Sequence, residues 1–389
     1  MEHDLVPVDN CTGCSACRAR CPERAIEMRE DAEGFLYPFI DVSRCTLCRT
    51  CVEICPAHPF PAGETPQEPA VYAAWTRDRE LLLKSSSGGA FSELARTVLE
   101  RGGVVFGAAY DEHMAVRQTA VETWDDLGRL RGSKYVQSDA ADSYDAARDY
   151  LDAGRAVLYS GTPCLVAGLY AALGGDHDRL LACSLICHGV PSPKVFRKHL
   201  DALAGRHGQK IRDFVFRDKR GGWRHPTIRI ELDNRRTVCE SNSDNTYSQG
   251  FATDLFLRTS CHQCPVKARG PVGDIVLGDF WQLSKHRPEL VNPKGTSAII
   301  AVTGKGLAAV EACRGRLELT ECPFEYLAHD SMLSRCPKPR RDRPDFFADL
   351  DRLSFKELTK KYLKPRGLIV RSAAKVKRFL LALRNRMKG

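Results

Sequence analysis

CTGCSACRARCP, residues 11–22, sets four cysteines in the spacing C-x2-C-x2-C-x3-C and closes on a proline. CTLCRTCVEICP, residues 45–56, repeats that spacing 34 positions later. Three cysteines so close together wrap one corner each of a cube-shaped 4Fe-4S cluster, and the fourth reaches across to the neighbouring cluster. The expected ligands are therefore Cys11, Cys14, Cys17 and Cys55 for one cluster, and Cys45, Cys48, Cys51 and Cys21 for the other. Two zinc sites would need neither the third cysteine at this spacing nor the proline.

Over its full length this segment, residues 1–60, resembles a bacterial-type two-cluster ferredoxin domain, which relays single electrons. Gly34 to Ile40 suggests the hairpin between the clusters, and Asp41 to Arg44 a short strand or turn. PAHPFPAGETPQEPA, residues 56–70, is rich in proline and without apolar period, so 61–70 reads as a stiff linker to whatever uses the electrons.

The bulk numbers agree with a metalloprotein. Seventeen cysteines in a 389-residue chain that opens MEHDLVPVDN, not a secretory leader, read as metal ligands in a reducing cytoplasm rather than as disulfides. No apolar run approaches the ~18 residues of a membrane span. The net charge of +9 is concentrated in residues 366–389, which hold eight Lys or Arg and no acid, so the body is close to neutral.

Beyond the linker, strand signals (GVVFGAAY 103–110, AVLYS 156–160, LLACSLI 180–186, FVFRD 214–218, DIVLGDF 274–280, SAIIAV 297–302) alternate with helical patterns at 90–100, 164–173, 193–204 and 304–314. Such alternation predicts a mixed α/β or α+β domain with a largely covered sheet. Two strands run into cysteine, AVLYSGTPC into Cys164 and LLACSLICHG into Cys187. Ligands bind at the carboxyl ends of parallel strands. Cys164 and Cys187 are therefore the candidates to complete a site with Cys261 and Cys264 of SCHQCPVKARG, residues 260–270. Zinc and a 4Fe-4S cluster both suit four thiolates. The competitors are Cys183, a small hydrophobe inside an apolar strand, Cys239, and Cys313, Cys322 and Cys336, which lack ligand spacing.

KSSSGGAFSELA (84–95), RGSKYVQS (131–138), SGTPCLVAGL (160–169), LICHGVPSP (185–193) and VLGDFW (276–281) together resemble the beta subunit family of coenzyme F420 hydrogenases and dehydrogenases. Members carry FAD beside a 4Fe-4S cluster, and an N-terminal two-cluster ferredoxin is a common fusion. Relatives include chlorophyllide and hydroxymethyl-chlorophyll reductases, and bacterial proteins encoded beside surface-polysaccharide genes. The resemblance implies that 71–150 and 151–325 are the N- and C-terminal parts of one such domain, followed by an extension, 326–389. It also implies a third 4Fe-4S cluster on Cys164, Cys187, Cys261 and Cys264.

A flavin suits a ferredoxin fusion because it trades single electrons for pairs. Ser85, Ser86, Ser87, Gly88 and Gly89 open a predicted helix whose N-terminus suits a pyrophosphate; a serine cap with a flexible turn reads equally well from these residues alone. Arg131, Ser133, Lys134 and Tyr135 offer a cation for phosphate and a ring for stacking, although the stretch by itself is an ordinary basic loop. The resemblance favours the cofactor reading of both. His188 is the candidate proton donor, with a hydrogen bond to the cluster or a plain turn as alternatives. Asp279, Phe280 and Trp281 line the same edge or pack the core. Gly304-Lys-Gly306 matches a dinucleotide fingerprint weakly, and helix capping explains it more simply.

Residues 366–389 space Ile369, Ala373, Val376, Leu380, Leu383 and Met387 as the apolar stripe of a basic helix. It would lie on an anionic membrane surface, leaving the protein peripheral at the inner face, or dock on the body or a partner. Nucleic acid is not an expected partner. The expected function is an FAD/4Fe-4S oxidoreductase exchanging electrons with coenzyme F420 or another organic substrate. The alternatives are an electron-transfer subunit that feeds a redox partner protein, in a surface-polysaccharide pathway for instance, and a zinc-stabilised binding protein.

Overall fold

The computed structural model describes residues 8–58, 69–140, 142–328 and 331–363. Most of the expected linker and the whole of the expected basic helix lie outside the described residues.

The cysteine-rich N-terminus folds around one hairpin, β1 (Ile26–Glu30) against β2 (Leu36–Ile40), with Ile26 opposite Ile40. Its turn contains Gly34 at φ +86°, which an L side chain would strain; a Cβ there would also collide with Lys194 of the body. Asp41 to Arg44 form the turn that follows. The remaining strands, in chain order, are β3 (Ala70–Thr76), β4 (Val104–Tyr110), β5 (Val116–Val121), β6 (Val157–Gly161), β7 (Leu180–Leu185), β8 (Ile211–Asp218), β9 (Thr227–Leu232), β10 (Thr237–Ser241), β11 (Ile275–Asp279), β12 (Ser297–Ala301) and β13 (Leu317–Cys322).

Eight of these make one mixed sheet in the order β13-β3-β12-β11-β7-β6-β4-β5. Its centre is parallel: β11 with β7, β7 with β6, β6 with β4. The flanking pairs are antiparallel. β6 is buried from end to end and β7 up to its last residue, which explains their unbroken apolar sequences. The helix Ala90–Leu99 covers one face, and the helices Ser143–Asp152 and Pro163–Leu173 cover the other. Because β6 and β7 run the same way, Cys164 and Cys187 leave the sheet at one edge.

A second, three-stranded sheet (β8, β9, β10) packs against the helix Pro193–His207. Pro193 starts that helix behind the Ser192 cap, and Gly208 ends it in the left-handed region. Phe346, Leu350, Phe355 and Leu358 complete the same core. Residues 346–363, within the segment 326–389 that the sequence marks as an extension, thus pack on this core.

The ferredoxin region is seated firmly. Arg343 forks onto Glu33, Arg197 onto Glu30 at 2.6 and 2.7 Å, and Arg18 reaches Asp142 at 2.7 Å. Tyr144 places its hydroxyl between the carbonyls of Cys14 and Leu165, 2.8 and 2.9 Å away. Gly168 makes this approach possible, since a Cβ there would lie 3.0 Å from the Cys14 Cβ.

Candidate redox site

The two halves of the ferredoxin repeat share one backbone device. Gly13 and Leu47, at equivalent positions, and then Ser15 and Arg49, all take left-handed conformations. Three of the four are not glycine, and such residues persist only where the surroundings enforce them. The turns bend each loop around its thiols. Burial, with smaller contributions from the neighbouring Cys55 and Cys11, raises the Cys14 thiol to about 12. Burial likewise raises Cys17, followed by Cys14, Cys11 and Cys55. Cys51 is raised by burial and then by Cys21 and Cys48, and Cys21, Cys45, Cys48 and Cys51 line one small hollow of about 30 Å³. The structure thus groups Cys55 with the first run and Cys21 with the second.

At the sheet edge a third group forms from three distant segments. Cys164 stands at the start of the helix Pro163–Leu173, 3.2 Å from the Thr162 hydroxyl. Cys187 follows β7. Cys261 lies within the turn Thr259–Gln263, and Cys264 follows it directly. Burial raises Cys187 most, and the adjoining Cys261, Cys164 and Cys264 add to it. Gly189 admits this packing, because a Cβ would come 3.2 Å from the Cys261 Cβ. The amides of Val190 and Lys267 donate to the sulfurs of Cys261 and Cys264, each at 3.4 Å. Amide-to-sulfur bonds of this kind tune cluster potentials. Cys164 also feels Cys14, so the third group adjoins the first.

Among the described residues no three His, Cys, Asp or Glu side chains close on a single ion. A lone zinc with ~2.3 Å bonds would draw its sulfurs to within roughly 4 Å of one another. Four thiolates suit a zinc ion or a 4Fe-4S cluster alike.

Cys336 has no ligand spacing in the sequence, yet it accepts the Cys264 amide at 3.3 Å. Seventy-two residues separate the two, and no local pattern could have joined them. Cys183, Cys313 and Cys322 are buried packing residues, while Cys239 is exposed.

Beside the third group opens a cavity of about 600 Å³, within the range of cofactor sites. Cys187 and His188 are in its wall, as are Ser85 to Ser87, Gly89 and residues 131–135. The two sequence motifs meet there, since the Ser133 amide and hydroxyl donate to the Ser86 hydroxyl at 2.8 and 3.1 Å. Ser85 and Ser87 spend their hydroxyls on the carbonyls of Leu81 and Thr296. Gly88 is packed against the backbone of β3, where a Cβ would lie 2.1 Å from the Ala74 oxygen. Lys134 belongs to the same wall. It donates to the carbonyls of Arg131 and Gly132, and burial lowers it to about 8 against the opposing pull of Asp213. Tyr135 stacks on Phe251, with ring centres 4.8 Å apart.

Four wall residues carry a buried polar atom without a hydrogen-bond partner among the described residues: Arg131 Nη2, Arg217 Nε, Gln118 Oε1 and Ser138 Oγ. Leaving such atoms unpaired costs about 1–3 kcal/mol each, so the wall fits a polar, anionic ligand. Arg217 is held by Asp279 at 2.6 Å, and Asp279 also accepts from Trp223 Nε1 at 2.6 Å. Trp223 and Trp281 stack at 4.7 Å. Phe280, in contrast, is core. His188 meets Asp254 at 2.6 Å, a residue in the left-handed region 66 positions away that the sequence gives no reason to select. Gly304 and Gly306 lie away from the cavity; Thr303 caps their helix through the Gly306 amide at 3.0 Å.

Comparison with known proteins agrees with this organisation. Residues 71–143 match the N-terminal domain, and residues 154–325 the C-terminal domain, of the coenzyme F420 hydrogenase/dehydrogenase beta subunit, and residues 10–58 match a 4Fe-4S dicluster domain. Together the two beta-subunit domains span well over half of the chain. No curated protein matches. A solved structure of the F420-reducing NiFe hydrogenase complex from Methanosarcina barkeri, a xenon derivative, contains a chain that aligns at 17% identity. The TM-score is 0.44, over 77% of this chain and 94% of that one.

Proposed function

The chain belongs to the coenzyme F420 hydrogenase/dehydrogenase beta subunit family, an oxidoreductase family, and from that premise we propose that it moves electrons between its ferredoxin clusters and an organic two-electron substrate. The observation that carries the proposal is the double position of Cys187. It belongs to the third thiol group, which adjoins the first ferredoxin group, and it is also part of the cavity wall. A third 4Fe-4S cluster on Cys164, Cys187, Cys261 and Cys264 would thus stand between the ferredoxin and the cavity.

FAD is the cofactor proposed for the cavity, where its ring would supply exchange between one-electron and two-electron chemistry. The chain's own residues do the rest. The amides that open the helix Ala90–Leu99 and the unpaired Arg131 Nη2 hold the pyrophosphate. Tyr135 and Phe251 supply an aromatic wall. Asp254 orients His188 through Nε2, so that Nδ1 takes or gives the substrate proton. Coenzyme F420 is the leading substrate because of the family. A redox partner protein in its place would make the chain an electron-transfer subunit. A role beside surface-polysaccharide assembly rests on the family resemblance alone. Among the described residues no helix is long and apolar enough to cross a membrane.

The test is anaerobic turnover. Protein reduced through its clusters should bleach the absorbance of coenzyme F420, and reduced F420 should reduce the clusters. Failure in both directions, with clusters and flavin fully loaded, excludes F420 as the substrate.

A further inference from the structure

Arg258 is fully buried and spans two of the thiol groups. Its backbone belongs to the third: its amide donates to Val190 O at 3.0 Å, and its carbonyl accepts the Cys261 amide at 3.0 Å. Its side chain belongs to the first. Nε donates to Cys11 O at 2.8 Å, and Nη2 points at Cys11 Sγ from 3.6 Å. Nη1 donates to Gln137 Oε1 at 3.3 Å, and Gln137 in turn donates to Thr12 O. The guanidinium lies over the Tyr37 ring at 4.0 Å. Gly13 leaves the room for this, since a Cβ there would be 2.9 Å from Nη1.

Among the described residues no carboxylate pairs with this cation. A guanidinium does not lose its proton in proteins, and burying an uncompensated charge costs several kcal/mol. A compensating negative charge is therefore required, and among the groups that the guanidinium faces (Cys11, Gln137, Phe35 and Tyr37) the Cys11 sulfur is the one that can carry it as a cluster ligand. Cys11 is on one side. On the other is Cys261, three residues further on, whose amide the Arg258 carbonyl holds. Arg258 thus touches the first group through its side chain and the third through its backbone.

We propose that Arg258 is the shared counter-cation of the first and third clusters, a positioning residue that raises both reduction potentials relative to the second cluster. This rests on the three-cluster reading above. Its consequence is a directed path, in which an electron entering at the exposed second cluster runs downhill to the pair that flanks Arg258.

The experiment is an anaerobic redox titration of the full-length protein followed by electron paramagnetic resonance, with iron content measured beside it. Arg258→Met removes the charge at similar length, and Arg258→Lys keeps it. Gln137→Glu leaves Arg258 in place and sets a carboxylate against its Nη1. Arg258→Met and Gln137→Glu should each lower the potentials of two clusters and leave the third signal where it was, and Arg258→Lys should restore most of the loss. The role is overturned if Gln137→Glu moves no potential, if all three move together, or if Arg258→Lys behaves like Arg258→Met. Should Arg258→Met lose iron on folding, Gln137→Glu decides alone. A wild-type protein with only the two ferredoxin clusters refutes the underlying reading, whereas three clusters with unmoved potentials refute only the role of Arg258.

Discussion

Replacing Gly168 by alanine tests how closely the first cluster docks on the helix that carries Cys164. In an unobstructed helix the change stabilises by about 1 kcal/mol, because alanine loses less backbone freedom on folding. At Gly168 the new methyl would lie 2.7 Å from the Tyr144 hydroxyl, 3.0 Å from the Cys14 Cβ and 3.2 Å from its sulfur. Tyr144 has little room to retreat, since its hydroxyl bridges the carbonyls of Cys14 and Leu165. Overpacking of this kind costs about 1–3 kcal/mol. The net expectation runs from no effect to a loss of about 2 kcal/mol, together with slower electron passage from the ferredoxin to the cavity. Gly205 provides the control. It is exposed on the helix Pro193–His207, and a methyl added there would meet nothing within 4 Å. Gly205→Ala should therefore gain about 1 kcal/mol. Anaerobic denaturant unfolding of both variants measures the difference, and stopped-flow reduction measures the transfer. Equal stabilisation by the two alanines would refute the close approach of Cys14 to the helix.

Three further outcomes are expected. Arg131→Met should weaken flavin retention about ten- to a hundredfold, the worth of one charged hydrogen bond; unchanged flavin content after gel filtration would remove Arg131 from the site. His188→Gln should slow turnover about a hundredfold while leaving flavin and iron in place, and Asp254→Asn should shift the pH profile of turnover; a drop under threefold with an unmoved profile would leave the pair a packing contact. His199 is buried between Tyr247 and Phe355, and burial lowers it to about 3 from 6.5. Its folded value is below its unfolded one, so its share of stability is complete above pH 6.5 and falls as the pH drops toward 3. By pH 5 the loss is roughly 2 kcal/mol, at about 1.4 kcal/mol per pH unit. His199→Phe should escape it, and melting curves between about pH 7 and 5 should diverge in favour of the variant; a constant gap contradicts the assignment.

The parts of this protein that are legible in its sequence are those written over short distances. The ferredoxin spacing places each cluster within one short run of cysteines plus one returning cysteine. The apolar runs of β4, β6, β7, β11 and β12 announce strands buried on both faces. β9 escapes notice although TIRIEL alternates, because charged and turn-forming residues surround it. β3 and β13 escape for another reason: they complete the sheet by pairing across more than 200 residues. Distance explains the site as well. Cys164 and Cys187 can be found because strand direction is a rule of the fold, whereas Asp254, Cys336, Gln137 and Arg258 reach their partners through tertiary packing with no periodic signal. Lys134, a residue type suited to phosphate, also braces its own loop through the Arg131 carbonyl, which the sequence does not signal.

The central claim is a third cluster between the ferredoxin and the cavity, and iron content with spectra of anaerobically purified wild type and Cys261→Ser tests it most directly. The account predicts roughly twelve irons and one flavin per chain, at four irons per cubane cluster. It predicts loss of about four irons in the variant, with both ferredoxin signals and the flavin retained. Wild type with about eight irons, or with zinc in place of the third cluster, would contradict it.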